Sequence, residues 1–295
     1  MTEEPVIQCD HLTHYYGSRR IYENLSFEVG KGRITGLLGK NGTGKTTTIN
    51  ILMGYLQPVS GACRIFGEEV GHMTAATRSR IALLLEGHVQ YSFMTIEQIE
   101  RYYSAFYPKW NRDAYYGLMS KLKVAPGQKI SRMSNGQRSQ VALGLILAQN
   151  PDLFVLDDFS LGLDPGYRRL FSEYLREYAK AEGKTVFLTS HIIQDIERLV
   201  DDCIIMDYGS ILLQKPVRWL MDNFMRYTFN TSATELPAME GVFNPEVIRG
   251  HGELYSFLSR EEVAQKLEGQ GVPFDQLEGG KMNLEDIFIG LTGKY

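Results

Sequence analysis

Gly39-Lys40-Asn41-Gly42-Thr43-Gly44-Lys45-Thr46 constrains this chain more than any other stretch. It fits the pattern G-x-x-x-x-G-K-[S/T] and sits between an apolar run and a stretch with helical spacing. In that context the glycines let backbone N–H groups converge on phosphate oxygens, and the helix that follows adds the favourable end of its dipole. Lys45 places a cation at the β/γ-phosphates, and the Thr46 hydroxyl can ligate Mg²⁺. A strand–loop–helix unit of this kind belongs to an α/β core with a largely parallel sheet, and the surrounding pattern agrees. Strand-like runs cover Val6–Cys9, Ser26–Val29, Arg33–Leu38, Arg64–Phe66 and Ile81–Leu85. Three buried strands are expected at Leu153–Leu156, Thr185–Leu188 and Cys203–Met206. Helical spacing covers Lys45–Met53 and Thr95–Met119, with Ile96, Ile99, Tyr103 and Phe106 on one face of the latter. A further helix runs over Gly136–Gln149 and stops at Asn150-Pro151.

A phosphate loop needs an acidic partner at the end of an apolar strand. Leu153-Phe154-Val155-Leu156-Asp157-Asp158 supplies one, 112 residues past Lys45, and Asp157 would hold Mg²⁺ directly or through water. Composition excludes other classes. With 31 basic against 35 acidic residues the net charge is −4, so no basic excess exists to neutralise a nucleic-acid backbone, and no nucleic-acid partner is expected. The three cysteines, Cys9, Cys63 and Cys203, form no CxxC pair and read as buried or half-buried thiols. The first ten residues carry acid and no apolar signal-peptide core. The longest apolar run, 141–148, is far short of the roughly 20 residues a membrane helix needs. Any action at a membrane therefore requires another polypeptide to supply the spans. Composition shifts near residue 222, which divides the chain into a nucleotide-binding domain, 1–222, and an accessory α+β domain, 223–295. Strand-like runs at Tyr227–Thr231 and Leu254–Leu258 and helical ones at Glu261–Glu268 and Asn283–Leu291 fill the second.

Five more pieces fall in order along the chain. Met133-Ser134-Asn135-Gly136-Gln137-Arg138 resembles the signature LSGGQ, 23 residues before Asp157. Leu161-Gly162-Leu163-Asp164-Pro165 resembles a D-loop, and Thr189-Ser190-His191 a switch histidine. Tyr16-Gly17 matches an adenine-stacking aromatic, and Leu85-Glu86 stands at the Q-loop position. Taken with the phosphate loop, the set over about residues 5–220 resembles the nucleotide-binding subunit of ATP-binding-cassette (ABC) transporters. The stretch Asn283–Gly293 resembles the ending of ATPases that drive ABC-2-type exporters, and its Leu284, Ile287, Phe288 and Leu291 also read as one apolar helix face.

The resemblance implies a P-loop NTPase core of ABC type, with a helical subdomain at about 87–150 and a small C-terminal α+β appendage. It implies ATP and Mg²⁺, with Tyr16, Gly39, Lys40, Asn41, Gly42, Thr43, Gly44, Lys45, Thr46 and Thr47 on the nucleotide and Thr46, Asp157 and Glu86 at the metal. Asp158, His191 and Glu86 would serve catalysis, and Asp164 the D-loop. Ser134, Asn135, Gly136 and Gln137 would meet the γ-phosphate held by a second nucleotide-binding subunit. Separate integral membrane permease subunits would contact the Glu86–Tyr103 segment, placing the chain peripherally on the cytoplasmic face of the membrane. The other histidines, His11, His14, His72, His88 and His251, read as structural.

Three positions depart from the family pattern. Asn135 replaces a glycine, and asparagine tolerates left-handed backbone better than most residues. Glu86 replaces glutamine. Asp158 stands where a catalytic glutamate is usual, one methylene shorter; a misplacement near 1 Å can cost on the order of a hundredfold in rate. Alongside transport ATPase activity, two readings thus stay open: a soluble ABC ATPase uncoupled from transport, and a nearly inactive regulatory cassette.

Overall fold

The computed structural model describes residues 4–85, 91–160 and 163–293. The chain forms two compact units, Met1–Gln214 and Lys215–Tyr295. The first opens with β1 (Ile7–Tyr16) and β2 (Arg19–Val29), joined through Gly17 at φ +60°. After β3 (Ile34–Gly39) come the phosphate-type loop and α1 (Lys45–Leu52), then β4 (Ser60–Ile65), β5 (Glu68–Glu69), α2 (Ala75–Arg78) and β6 (Ile81–Leu84). Three helices follow: α3 (Ile96–Ser104), α4 (Arg112–Lys121) and α5 (Asn135–Ala148). The unit then alternates through β7 (Leu153–Leu156), α6 (Pro165–Ala181), β8 (Thr185–Thr189), α7 (Ile193–Leu199) and β9 (Asp202–Asp207), and β10 (Ser210–Pro216) carries the chain onward.

Two sheets organise this unit. The larger has the order β10-β9-β3-β8-β7-β6, with β9, β3, β8, β7 and β6 paired parallel. Every residue of β7 and β8 is buried, as expected of strands covered on both faces. The smaller sheet, β2-β1-β4-β5, is antiparallel. Phe27 of β2 stacks on Phe187 of β8 at 5.7 Å, and this contact lies in a core shared by both sheets. The parallel register puts the ends of β3, β7 and β8 together, and the functional residues follow those ends.

The helical run expected over Thr95–Met119 is two helices. α3 starts in a capping box of Thr95 and Gln98, and α4 is capped by the Asn111 carboxamide on the Ala114 N–H at 3.0 Å. Pro108 lies in the connection, where it cannot donate to a continuing helical ladder.

In the second unit, α8 (Val217–Asn223) leads into β11 (Met225–Asn230), β12 (Val242–Ile248), β13 (His251–Ser256), α9 (Arg260–Gly269), β14 (Asp275–Gly280) and α10 (Leu284–Thr292). Its sheet, β12-β13-β11-β14, is antiparallel throughout. Tyr227, Phe229, Leu254 and Leu277 of the sheet pack with Val263 and Leu267 of α9. The α10 face of Leu284, Ile287, Phe288 and Leu291 is buried, and Gly290 lets the helix approach Tyr255, where a Cβ would lie 2.6 Å from the ring. Residue 222, where composition shifts, falls inside α8, which packs on α10.

Candidate functional site

The loop after β3 is shaped by its glycines. Gly44, the residue before α1, has φ +102°, and a Cβ there would meet Ile21 at 2.7 Å and the Tyr22 ring at 2.8 Å. Gly42 has φ +81°. Gly44 admits no side chain and Gly42 holds left-handed backbone that would strain one, so both present bare backbone to the hollow. The Lys45 ammonium donates to the carbonyls of Gly39 at 2.7 Å and Lys40 at 3.2 Å, which holds it over its own loop. Burial pulls its pKa below the ordinary lysine value, against the attraction of Asp158 and Asp157.

The acidic side comes from the neighbouring strand ends. Asp157, buried after β7, accepts from the Thr46 hydroxyl at 3.4 Å and from the Thr189 hydroxyl at 2.8 Å. The pairing of Leu156 with Leu188 in β7 and β8 explains why Thr189 reaches it. The Thr189 oxygen also accepts the Asp158 N–H at 2.9 Å. Asp158 has φ +44°, and its two carboxylate oxygens lie 2.7 and 2.8 Å from His191 Nδ1. A carboxylate only accepts, so Nδ1 carries the proton and Nε2 is left for a ligand. Beneath this pair Ser160 and Ser190 share a buried hydrogen bond of 2.9 Å.

These groups converge on one cleft of about 320 Å³. Tyr16, half exposed, lines it and packs edge-on against His14 at 4.9 Å. Asn41, Gly42, Gly44, Lys45, Thr46 and Thr47 line it as well, with Asp157, Asp158 and His191 opposite. Lys40 and Thr43 point their side chains elsewhere. The Lys40 ammonium lies 5.9 Å from the Tyr208 ring centre, and the Thr43 hydroxyl donates to the Lys40 carbonyl at 2.8 Å. Glu86 and the pair Leu161-Gly162 lie outside the described residues. Arg19 and Thr189 also line the cleft, and sequence reasoning assigned neither a role. Thr189 stood within a quoted motif; Arg19 had no local signal.

Ser134, Asn135, Gly136 and Gln137 lie outside the lining of this cleft. Ser134 and Gln137 form a reciprocal capping box at the start of α5, with bonds of 3.2 and 3.1 Å. Asn135 is the first helical residue and is not in left-handed backbone, so its tolerance of that conformation is not what it supplies. Gly136 is required by packing, since a Cβ would stand 2.3 Å from the Tyr167 ring. Asp164 caps α6, accepting the N–H groups of Gly166 and Tyr167 at 3.0 and 3.1 Å.

Residues 22–160 match the family model described as ABC transporter. Over 98% of its length the chain is 28% identical to the Nod factor export ATP-binding protein I of Ralstonia nicotianae, spanning 94% of that protein. It is likewise 28% identical, over 98% of its length and 97% of the relative's, to the bacitracin transport ATP-binding protein BcrA of Bacillus licheniformis. A solved ATP-binding subunit of an ABC transporter superposes with a TM-score of 0.65 at 26% identity, covering 74% of this chain and 92% of that one. Residues 22–160 thus form an ABC transporter cassette, and over its length the chain is similar to ATP-binding subunits of such transporters. It is an ATPase built on the P-loop NTPase fold of these cassettes.

Proposed function

We propose that this ABC subunit hydrolyses ATP in the cleft between Lys45 and His191 and thereby powers export through separate membrane subunits. The observation that carries the reading is the approach of Thr46 to Asp157 beside a loop in which Gly44 leaves no room for a side chain. The two oxygen donors fit Mg²⁺, a hard cation that takes carboxylate and hydroxyl ligands. Bound there, Mg²⁺ would offset charge on the β/γ-phosphate oxygens. Lys45 and the loop N–H groups would hold the phosphates, and Tyr16 would stack on the base. Asp158 would orient the attacking water, and His191, held at Nδ1 by Asp158, would as an imidazolium donate its Nε2–H to the γ-phosphate. Phosphoryl transfer of this kind is mainly positioning and charge stabilisation.

A second nucleotide-binding subunit would complete each site. The signature residues at the start of α5 do not line their own cleft, and their helix start suits the phosphates held by a partner. Among the described residues no helix is long and apolar enough to cross a membrane, so the spans would come from permease subunits. Export is supported by relatives named for Nod factor export and bacitracin transport, which the chain matches through its second unit as well.

Two measurements test this. The chain should co-purify with a polytopic membrane protein, and the complex should turn over ATP. Lys45→Ala should abolish turnover and weaken ATP binding in calorimetry by at least about tenfold, the scale of one charge-assisted contact. Unchanged binding would remove the phosphate-loop assignment.

A further inference from the structure

A second cationic hollow lies between α6 and α7 and shares no lining residue with the nucleotide cleft. Arg168, Arg169 and Arg176 approach it from α6, and Arg198 from α7. Its volume is about 500 Å³, within the roughly 300–1,000 Å³ typical of small-molecule sites. In a chain with net charge −4, four guanidiniums around one concavity reverse the sign locally. Three of the four arginines meet a carboxylate, but the lining holds only Glu173 and Asp195 against four guanidiniums, so a positive excess remains. Glu173 answers Arg169 at 2.7 Å, and Asp195 answers Arg168 at 3.3 Å. Arg176 donates to the Leu199 carbonyl and lies 3.8 Å from Asp201. Arg198 has no ion-pair partner among the described residues.

Two buried donors point to a ligand rather than to a plain surface. Ser172 is 8% exposed, and its hydroxyl has no hydrogen-bond partner among the described residues. A helical serine can return its proton to the carbonyl four residues back, and this one does not. Arg168 Nε, one turn away, is buried without an acceptor as well. Buried polar atoms without partners are rare, and each asks for one. What is missing here is an acceptor, and the field around it favours a negative one. The planar fork of arginine matches phosphate oxygens.

We infer that the α6–α7 hollow binds a small phosphorylated anion, held by Arg168, Arg169 and Arg198 and by the Ser172 hydroxyl. A concave site in an acidic chain suits a small ligand. Nucleic acid and anionic membrane surfaces call for an extended basic face.

The test uses the full chain saturated with Mg²⁺-ADP, so that the phosphate loop is occupied, and titrates inorganic pyrophosphate by calorimetry. One further binding event is expected. Arg198→Glu, an exposed change, should weaken it by about tenfold or more, and Ser172→Ala by about fivefold, the scales of a charged and a neutral hydrogen bond. Ser172→Ala removes an unpartnered donor, so the melting temperature of the ligand-free protein should stay or rise. Absence of binding to the ADP-loaded chain would overturn the proposal. So would binding that Lys45→Ala abolishes while Arg198→Glu and Ser172→Ala leave it intact. Flotation with phosphatidylglycerol vesicles that depends on Arg198, without pyrophosphate binding, would overturn it in favour of a membrane contact.

Discussion

Asp158 combines left-handed backbone, at φ +44°, with a carboxylate turned fully onto His191. Such a φ is uncommon for a residue with a Cβ, although aspartate tolerates it better than most. Its N–H is fixed by the Thr189 hydroxyl, so the conformation is determined from both sides. The shorter side chain is thus seated in its own hydrogen-bond set. Lengthening it by a methylene would push the carboxylate past His191 Nδ1 and release the imidazole. Asp158→Glu is therefore expected to lower steady-state ATP turnover about tenfold or more, since misplacement near 1 Å can cost on the order of a hundredfold. Asp158→Asn keeps the shape and loses the charge; it should abolish turnover while ATP binding by calorimetry is retained. Faster hydrolysis by the Glu variant would show the native site to be merely short. Turnover of the Asn variant at the native rate would take Asp158 out of the mechanism.

At the scale of elements, α5 shows how a cap and a site can share one residue. Ser134 satisfies the Gln137 N–H, and removal of such a cap costs about 1 kcal/mol. Ser134→Asp preserves the cap and puts a negative charge where a partner's phosphate would sit. The variant should keep its melting temperature and lose ATP-driven dimerisation in light scattering, whereas Ser134→Ala should lose melting temperature. Asp201 ties two other elements, accepting from Lys180 of α6 at 2.6 Å and from the Ile34 N–H of β3 at 3.0 Å. Burial raises its pKa, but these bonds outweigh burial and hold it below the usual value. A depressed folded pKa means that this contribution is present above an unfolded pKa of about 3.9 and is lost as pH falls through the folded value. Urea unfolding should show Asp201→Asn less stable by up to about 2 kcal/mol at pH 7, with the gap closing as pH falls through the depressed folded value. Elements differ in how plainly the sequence displays them. β7 is an unbroken apolar run before two aspartates, and the phosphate loop carries its own spacing. β14, with only Leu277 buried among Asp, Gln, Glu and glycines, has no period to read, because pairing with β11 defines it. Arg19 is likewise invisible locally, since the hairpin of β1 and β2 brings it to the cleft.

For the whole molecule, the division into two units makes a claim about autonomy. The first unit contains both nucleotide-side sheets, and every described cleft residue precedes residue 192. The second has its own antiparallel sheet, its own apolar cluster and a set of packed aromatics, with Phe224 4.5 Å from Phe257 and 5.6 Å from Phe243. Among the described residues neither sheet system borrows a strand from the other beyond the last residues of β10. Deleting 217–295 leaves β10 intact and removes no cleft side chain. The truncated protein is therefore expected to melt in one cooperative transition and to bind ATP within about twofold of the full chain, a free-energy difference small beside a single hydrogen bond. The excised unit is near the size below which one core supplies only a few kcal/mol, so alone it should melt earlier than the cassette. Circular dichroism melts of the two pieces and calorimetry on the first decide the matter. A cassette that loses ATP binding while keeping its helical signal would show that the second unit shapes the cleft from a distance, and the two would then be one folding unit in function.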